Sequence, residues 1–172
     1  LGKHQALNTM AAILAAQELG MNSEEIRLGL LKIEKTGLRN EIININNCNI
    51  LNDCYKSNPV SISAALDIFE LFKSKKKIIV LGDMLGYREM SHDMHYNVGK
   101  DLSMHHIDEL VTIGKEAEFI ARGARENTKI DSIVEFDTKE EAAVYLKKYL
   151  KEDCSILVKG SRFLQLEYIA NK

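Results

Sequence analysis

The sequence predicts an α/β fold: a mainly parallel sheet with helices on both faces, preceded by two further helices. Two observations carry this. Short β-branched runs ("KIIVL", "ELVTI", "SIVEF", "SILVK") alternate with amphipathic, helix-length stretches, the rhythm of repeated strand–helix–strand units. The opening stretch lacks that rhythm and is instead rich in alanine and leucine ("ALNTMAAILAAQEL"). A chain of 172 residues holds one ordinary domain plus a small appendage.

The elements follow in order. Residues 6–19 read as a buried helix ended by Gly20. Asn22 or Ser23 caps a second helix to about residue 33, with Glu24 and Glu25 in its first turn. "EKTGLRNE" breaks the pattern and reads as a hinge. "NEIININNCNILNDCY" gives two short strands about a polar Asn46–Asn47 turn. Helices are then predicted over residues 61–72, 91–104, 115–126, 139–150 and 163–170. Strands are predicted over residues 77–81, 109–113, 132–136 and 155–159. Pro59, the single proline, suits a first helical position, where a missing N–H costs little. There it stiffens the polar residues before it.

Composition excludes several classes. A formal charge of −2 provides no basic field for nucleic acid or anionic membrane. No apolar run reaches bilayer length, and no signal peptide is visible. Three cysteines without a C-x-x-C pair suit a reducing cytoplasm better than a disulfide scaffold, and disfavour a zinc knuckle. His92 and His95, three apart, could share a helix face toward a metal; without an obvious acidic or thiol partner they read as solvated. Lys75 to Lys77 read as a solvated loop. The first residues, "LGKHQALNTMAA", resemble the interior of a fold, so the chain is expected to be a piece of something longer.

In a parallel sheet, ligands bind beyond the carboxyl ends of the strands. The residues there are "DCYKSNP", "GDMLGYRE", "GKEAE", "DTKEE" and "GSR". This rim is rich in groups suited to phosphates, a ribose or a carboxylate. From spacing alone, Asp53 and Asn58 also suit plain turn and cap roles.

Together these motifs resemble one family. "NDCYKSNPVSISAAL" resembles the N-D-x-Y-N-A-N-P-x-S-x-x-A-A-L stretch of the Mur ligases that attach the terminal dipeptide of the peptidoglycan precursor. "VLGDMLGYREMSHDMHYNVG" and "LVKGSRFLQLE" are similar to that family's V-L-G-D-M-L and L-V-K-G-S-R segments. "LGKHQALNTMAAILAAQELG" resembles the end of its central ATP-binding domain, and "TGLRNE" the hinge that follows. The likeness runs from Gly2 to Glu167.

The resemblance implies a Rossmann-like domain over residues 37–172, with residues 1–36 closing the central domain. It implies an ATP- and magnesium-dependent, carbon–nitrogen bond-forming ligase joining D-alanyl-D-alanine to UDP-N-acetylmuramoyl-tripeptide through an acyl phosphate. His4 and Asn8 would line the adenine, Arg39 would meet the phosphates, and Asp53 would accept from the ribose hydroxyls. Tyr55, Ser57 and Asn58 would face the dipeptide; Lys159, Ser161 and Arg162 would take its terminal carboxylate. Asp83 would tie the loop after its strand, and His95 would cap or pack.

The family's phosphate loop and magnesium-holding lysine are not in this sequence. This stretch is therefore expected to hold no catalytic or metal-binding residue and to be inactive alone. The chain departs from the family pattern at Gln5, Lys56 and Gly86 to Arg88, and has one residue between Gly37 and Arg39. The expected protein is a cytoplasmic monomer. The competing readings are a free-standing α/β binding or regulatory module, an interaction domain using "FELFKSKKK" as a basic face, and the sister ligase that adds the third peptide residue.

Overall fold

The computed structural model describes residues 3–33 and 37–170, without the side chains of residues 3 and 4. It divides into two compact units, Leu1–Gly37 and Leu38–Lys172.

The first unit contains helices α1 (Lys3–Glu18) and α2 (Ser23–Leu31). Asn22 caps α2: its side chain accepts from the Glu24 and Glu25 amides while the Glu25 carboxylate takes the Asn22 N–H. This reciprocal box satisfies donors that every helix start leaves open. The expectation that the first helix is buried is corrected. Leu7, Met10, Leu14 and Leu19 are all exposed, and none of the described α1 side chains is buried. Leu7, Met10 and Leu14 follow three- and four-residue steps, so they form one apolar stripe that the first unit does not cover.

The second unit is built on a six-stranded sheet, β1 (Glu41–Ile45), β2 (Cys48–Asn52), β3 (Lys76–Gly82), β4 (Glu109–Ile113), β5 (Ser132–Phe136) and β6 (Cys154–Lys159). Its spatial order is β1-β2-β6-β3-β4-β5. Among the described residues only the β1–β2 hairpin is antiparallel; the other four pairings are parallel. Three of the four interior strands, β3, β4 and β6, are buried on both faces, which is why their sequences run mostly apolar without alternation.

Alternate residues of each strand feed two cores. Ile78, Val80, Ile156 and Val158 pack with α6 (Lys139–Leu146) and α7 (Glu167–Ala170). Ile79, Leu81, Leu110 and Leu157 pack with α3 (Pro59–Phe69), α4 (Ser91–Asp101) and α5 (Glu118–Asn127). The helices lie on both faces, as predicted. Three predicted helices are shorter than expected because α4, α6 and the last segment pass into or out of 3-10 turns at Leu102–Met104, Lys147–Tyr149 and Arg162–Leu164.

Two further expectations are corrected. The lysine run is no solvated loop. Lys76 and Lys77 open β3, and Lys77 is buried, its ammonium donating to the Glu70 carbonyl and its N–H to the Asp108 carboxylate. The cysteines are not all free thiols. Cys48 and Cys154 face each other in the β2–β6 register, their Cα atoms 4.7 Å apart, and form a disulfide. Cys54 is free and buried, and burial pushes its thiol pKa up.

Helices α4 and α5 cross with backbone nearly touching backbone. A Cβ on Gly99 would lie 2.0 Å from the Ile120 carbonyl oxygen, and one on Gly123 would lie 2.2 Å from that of Tyr96. Neither atom can swing aside, so overpacking here separates the helices. Gly99→Ala is expected to cost about 3 kcal/mol in urea unfolding, the upper end for an overpacked core; an unchanged midpoint would contradict this account of the crossing.

Candidate functional site

The second unit gathers its polar groups at the carboxyl ends of β2, β3 and β6. Chain geometry forces this meeting. Val158 of β6 accepts from the Asp53 N–H (2.9 Å) and the Cys54 thiol (3.3 Å), so the chain leaving β2 stays against β6 for two more residues. Lys159, the last residue of β6, therefore faces the 53–57 loop.

Lys159 is 1% exposed, yet its ammonium has three oxygen neighbours. It donates to Asp53 Oδ2 (2.5 Å), to the Lys56 carbonyl (2.9 Å) and, at the limit, to the Asp53 carbonyl (3.5 Å). The other Asp53 oxygen accepts from the Asn40 N–H (3.2 Å). The resemblance implied a carboxylate-binding Lys159; in this structure its ammonium is bonded to oxygens of Asp53 and Lys56. Lys56 is exposed, and only its carbonyl serves this network, so the departure from the family pattern there leaves the contact intact.

The segment joining Gly37 to β1 is held against the same loop. The Tyr55 N–H donates to the Leu38 carbonyl (3.1 Å), and the Arg39 guanidinium lies 4.2 Å from the centre of the Tyr55 ring. Leu38 and Asn40 both have positive φ, 63° and 47°. Asparagine tolerates that region, but leucine does so only where surrounding contacts hold it there.

Asn58 caps α3, accepting from the Ser61 amide (2.8 Å), while the Ser61 hydroxyl takes the Asn58 N–H; Pro59 occupies the first helical turn as predicted. Ser57 is 3% exposed, and its hydroxyl has no hydrogen-bond partner among the described residues. A buried hydroxyl left unpaired costs roughly 1–3 kcal/mol, a cost that a bound polar group removes.

From the other side come Ser161 and Arg162. The Ser161 N–H donates to the Asp83 carbonyl (3.2 Å), and its hydroxyl accepts from the Leu85 N–H (2.9 Å), which leaves the hydroxyl proton available. Arg162, half-exposed, pairs with Glu167 through one of its nitrogens and keeps further donors toward solvent.

The loop after β3 is fixed from within. His95 is fully buried rather than solvated: its Nε2 accepts from the Met84 N–H (2.8 Å) and its Nδ1 meets the Ser91 carbonyl (2.7 Å). That geometry assigns the ring proton to Nδ1. Asp83 accepts from the Ala117 N–H (2.7 Å) and presses on Gly114, whose φ of 107° and lack of a Cβ make room for the carboxylate. Both residues thus hold the loop.

Asn8 is exposed on α1, in the first unit; the side chain of His4 lies outside the described residues. Among the described residues no three histidines, cysteines or acids come together in a way that could hold a metal ion. Sequence reading missed the left-handed Leu38 and Asn40, whose only signal was the asparagine, and the Glu167 partner of Arg162.

Comparison with known proteins follows the same residues. Residues 38–162 match the family model described as Mur ligase, glutamate ligase domain. A Bacillus subtilis (strain 168) protein named UDP-N-acetylmuramoyl-tripeptide–D-alanyl-D-alanine ligase is 35% identical over 98% of this chain, and a Borreliella burgdorferi protein of the same name is 32% identical over 99%. The chain spans 37% of the length of each. A MurF crystal structure from Acinetobacter baumannii superposes with a TM-score of 0.88 at 28% identity, covering 99% of this chain and 38% of that one.

Burial pushes the Asp83 carboxyl above its ordinary value of 3.8, with the Ala117 N–H opposing the shift. An acid whose pKa is raised by folding holds a proton that the unfolded chain has already released. Its contribution to stability is complete below pH 3.8 and is lost as pH rises through the folded value. Asp83→Asn keeps an oxygen for the Ala117 N–H and removes the titration. Relative to this variant, the unmodified chain is expected to lose stability as pH rises from 3.8, measured by urea unfolding across pH; a difference independent of pH would contradict it.

Proposed function

The chain belongs to the Mur ligase family, through that family's glutamate ligase domain, and we propose that it is the acceptor-binding part of an ATP-dependent ligase. In this reading the ligase joins D-alanyl-D-alanine to UDP-N-acetylmuramoyl-tripeptide in the cytoplasm. Residues 1–36 close the central ATP-binding domain, and residues 37–172 form the carboxy-terminal domain.

One observation carries the reading: Lys159 ties the end of β6 to the 53–57 loop, so "NDCYKSNP" and "KGSR" form one rim. That rim offers donors to an anion from both sides. Ser57 has a buried, unpaired hydroxyl, Ser161 has a free hydroxyl proton, and Arg162 has spare guanidinium N–H groups. The dipeptide's terminal carboxylate fits Ser161 and Arg162, and its amide groups fit the Tyr55 to Asn58 side. Asp53, with one lone pair still open on each oxygen, suits the two ribose hydroxyls. Arg39 would leave the Tyr55 ring to meet the ATP phosphates.

The chemistry would run as follows. ATP transfers its terminal phosphoryl group to the tripeptide's carboxylate, giving an acyl phosphate and ADP. The dipeptide's amine, having lost a proton, attacks the acyl carbon. A tetrahedral intermediate forms and collapses, expelling inorganic phosphate and leaving the new amide. Within this chain the work is positioning and charge neutralisation rather than proton transfer. Magnesium, in this reading, is held outside the described residues. No described helix is long and apolar enough to cross a membrane.

A test uses the ligase that carries this chain. Arg162→Ala is expected to raise the KM for D-alanyl-D-alanine at least about tenfold, the worth of one charge-assisted hydrogen bond, and to leave the KM for ATP unchanged. Unchanged dipeptide KM, or an equal effect on ATP, would contradict the acceptor reading.

A further inference from the structure

We propose that Lys159 is a positioning residue: its buried ammonium holds the Asp53 carboxylate and the 53–57 loop in place and does not itself meet the acceptor. This deepens the ligase reading and rests on it for the roles of Asp53 and the loop.

The argument starts from the donors. A lysine ammonium has three N–H bonds and no acceptor. Here three oxygens surround it: Asp53 Oδ2, the Lys56 carbonyl and the Asp53 carbonyl. Its side chain is 1% exposed, so an incoming carboxylate would have to displace a partner to reach it. Displacing Asp53 would leave a carboxylate, itself only 14% exposed, without its counter-charge. Displacing the Lys56 carbonyl would strand a backbone acceptor in the loop. Arg162 and the Ser161 hydroxyl stand three and two residues further on and carry donors without these costs.

The position of Asp53 then follows from Lys159. One carboxylate oxygen is fixed by the ammonium and the other by the Asn40 N–H. The carboxylate plane is thereby set between the end of β6 and the left-handed segment before β1. Each oxygen retains a lone pair for a further donor. The Lys56 contact extends the same hold to the loop that carries Ser57. A neutral side chain at 159 would keep the strand but release both.

The test uses the unmodified chain and NMR of lysine ammonium groups. Solvated ammonium protons exchange too fast to be seen, whereas a buried, hydrogen-bonded one gives a resonance. The expected result is such a resonance, lost in Lys159→Met and shifted in Asp53→Asn, with the Asn40 and Tyr55 amides moving in both variants. On addition of millimolar D-alanyl-D-alanine to the unmodified chain, the ammonium resonance should stay in place while the Ser161 and Arg162 amides shift. An ammonium resonance that moves with the dipeptide, that is missing from the unmodified chain, or that ignores Asp53→Asn overturns the proposal. If the dipeptide moves nothing but Asp53→Asn shifts the ammonium, the brace stands and it is the acceptor reading that loses support. Should Lys159→Met fail to fold, the Asp53→Asn comparison and the titration still decide.

Discussion

The structure of the second unit hangs on one ion pair buried between two strand ends. Placing an ammonium and a carboxylate out of water costs several kcal/mol per ion, and only close geometry with every donor met recovers it. Lys159 meets that condition with three oxygens, and Asp53 with the ammonium and the Asn40 N–H. Removing either partner leaves an uncompensated charge among Val158, Cys54 and the loop. The pair therefore fixes where β6 ends, how the chain leaves β2 and how the segment after Gly37 is received.

The same strand register explains both ends of the β2–β6 pair. Cys48 opposes Cys154, a separation of 106 residues, and Lys159 meets Asp53, also 106 apart. One alignment brings the cysteines together at the amino ends and the ion pair together at the carboxyl ends. Around the pair, the rim is tied loop to loop. Ser161 holds the backbone of the 83–85 turn, His95 holds Met84, and the Asp83 carboxylate reaches across to Ala117. Ser57, Ser161 and Arg162 are among the described rim groups that keep hydrogen-bonding capacity to spare.

Much of this was legible in the sequence because it is local. The β-branched runs located the strands, with β4 and β5 at the predicted bounds. The Asn58-Pro59 pair marked the α3 start, and Asn22 with Glu25 marked α2. What was not legible depends on sheet order, which no periodicity reports. The Cys48–Cys154 disulfide, the burial of Lys77 and the donors of Lys159 each join residues distant in sequence. The solvated reading of His95 failed for a related reason: its partner, the Met84 amide, lies 11 residues away in a loop whose path the helical pattern did not give. The apolar composition of α1 was read as burial, but composition does not state what covers a helix.

The measurement that tests the central claim most directly is a double-mutant cycle on Lys159 and Asp53, read by urea unfolding of the chain. Lys159→Met, Asp53→Asn and the double variant are compared with the unmodified protein. If the pair is the constraint on which the rim depends, the two losses are strongly non-additive, with a coupling energy above about 1 kcal/mol. Losses that add to within about 0.5 kcal/mol would show that the two residues act separately and would contradict the account.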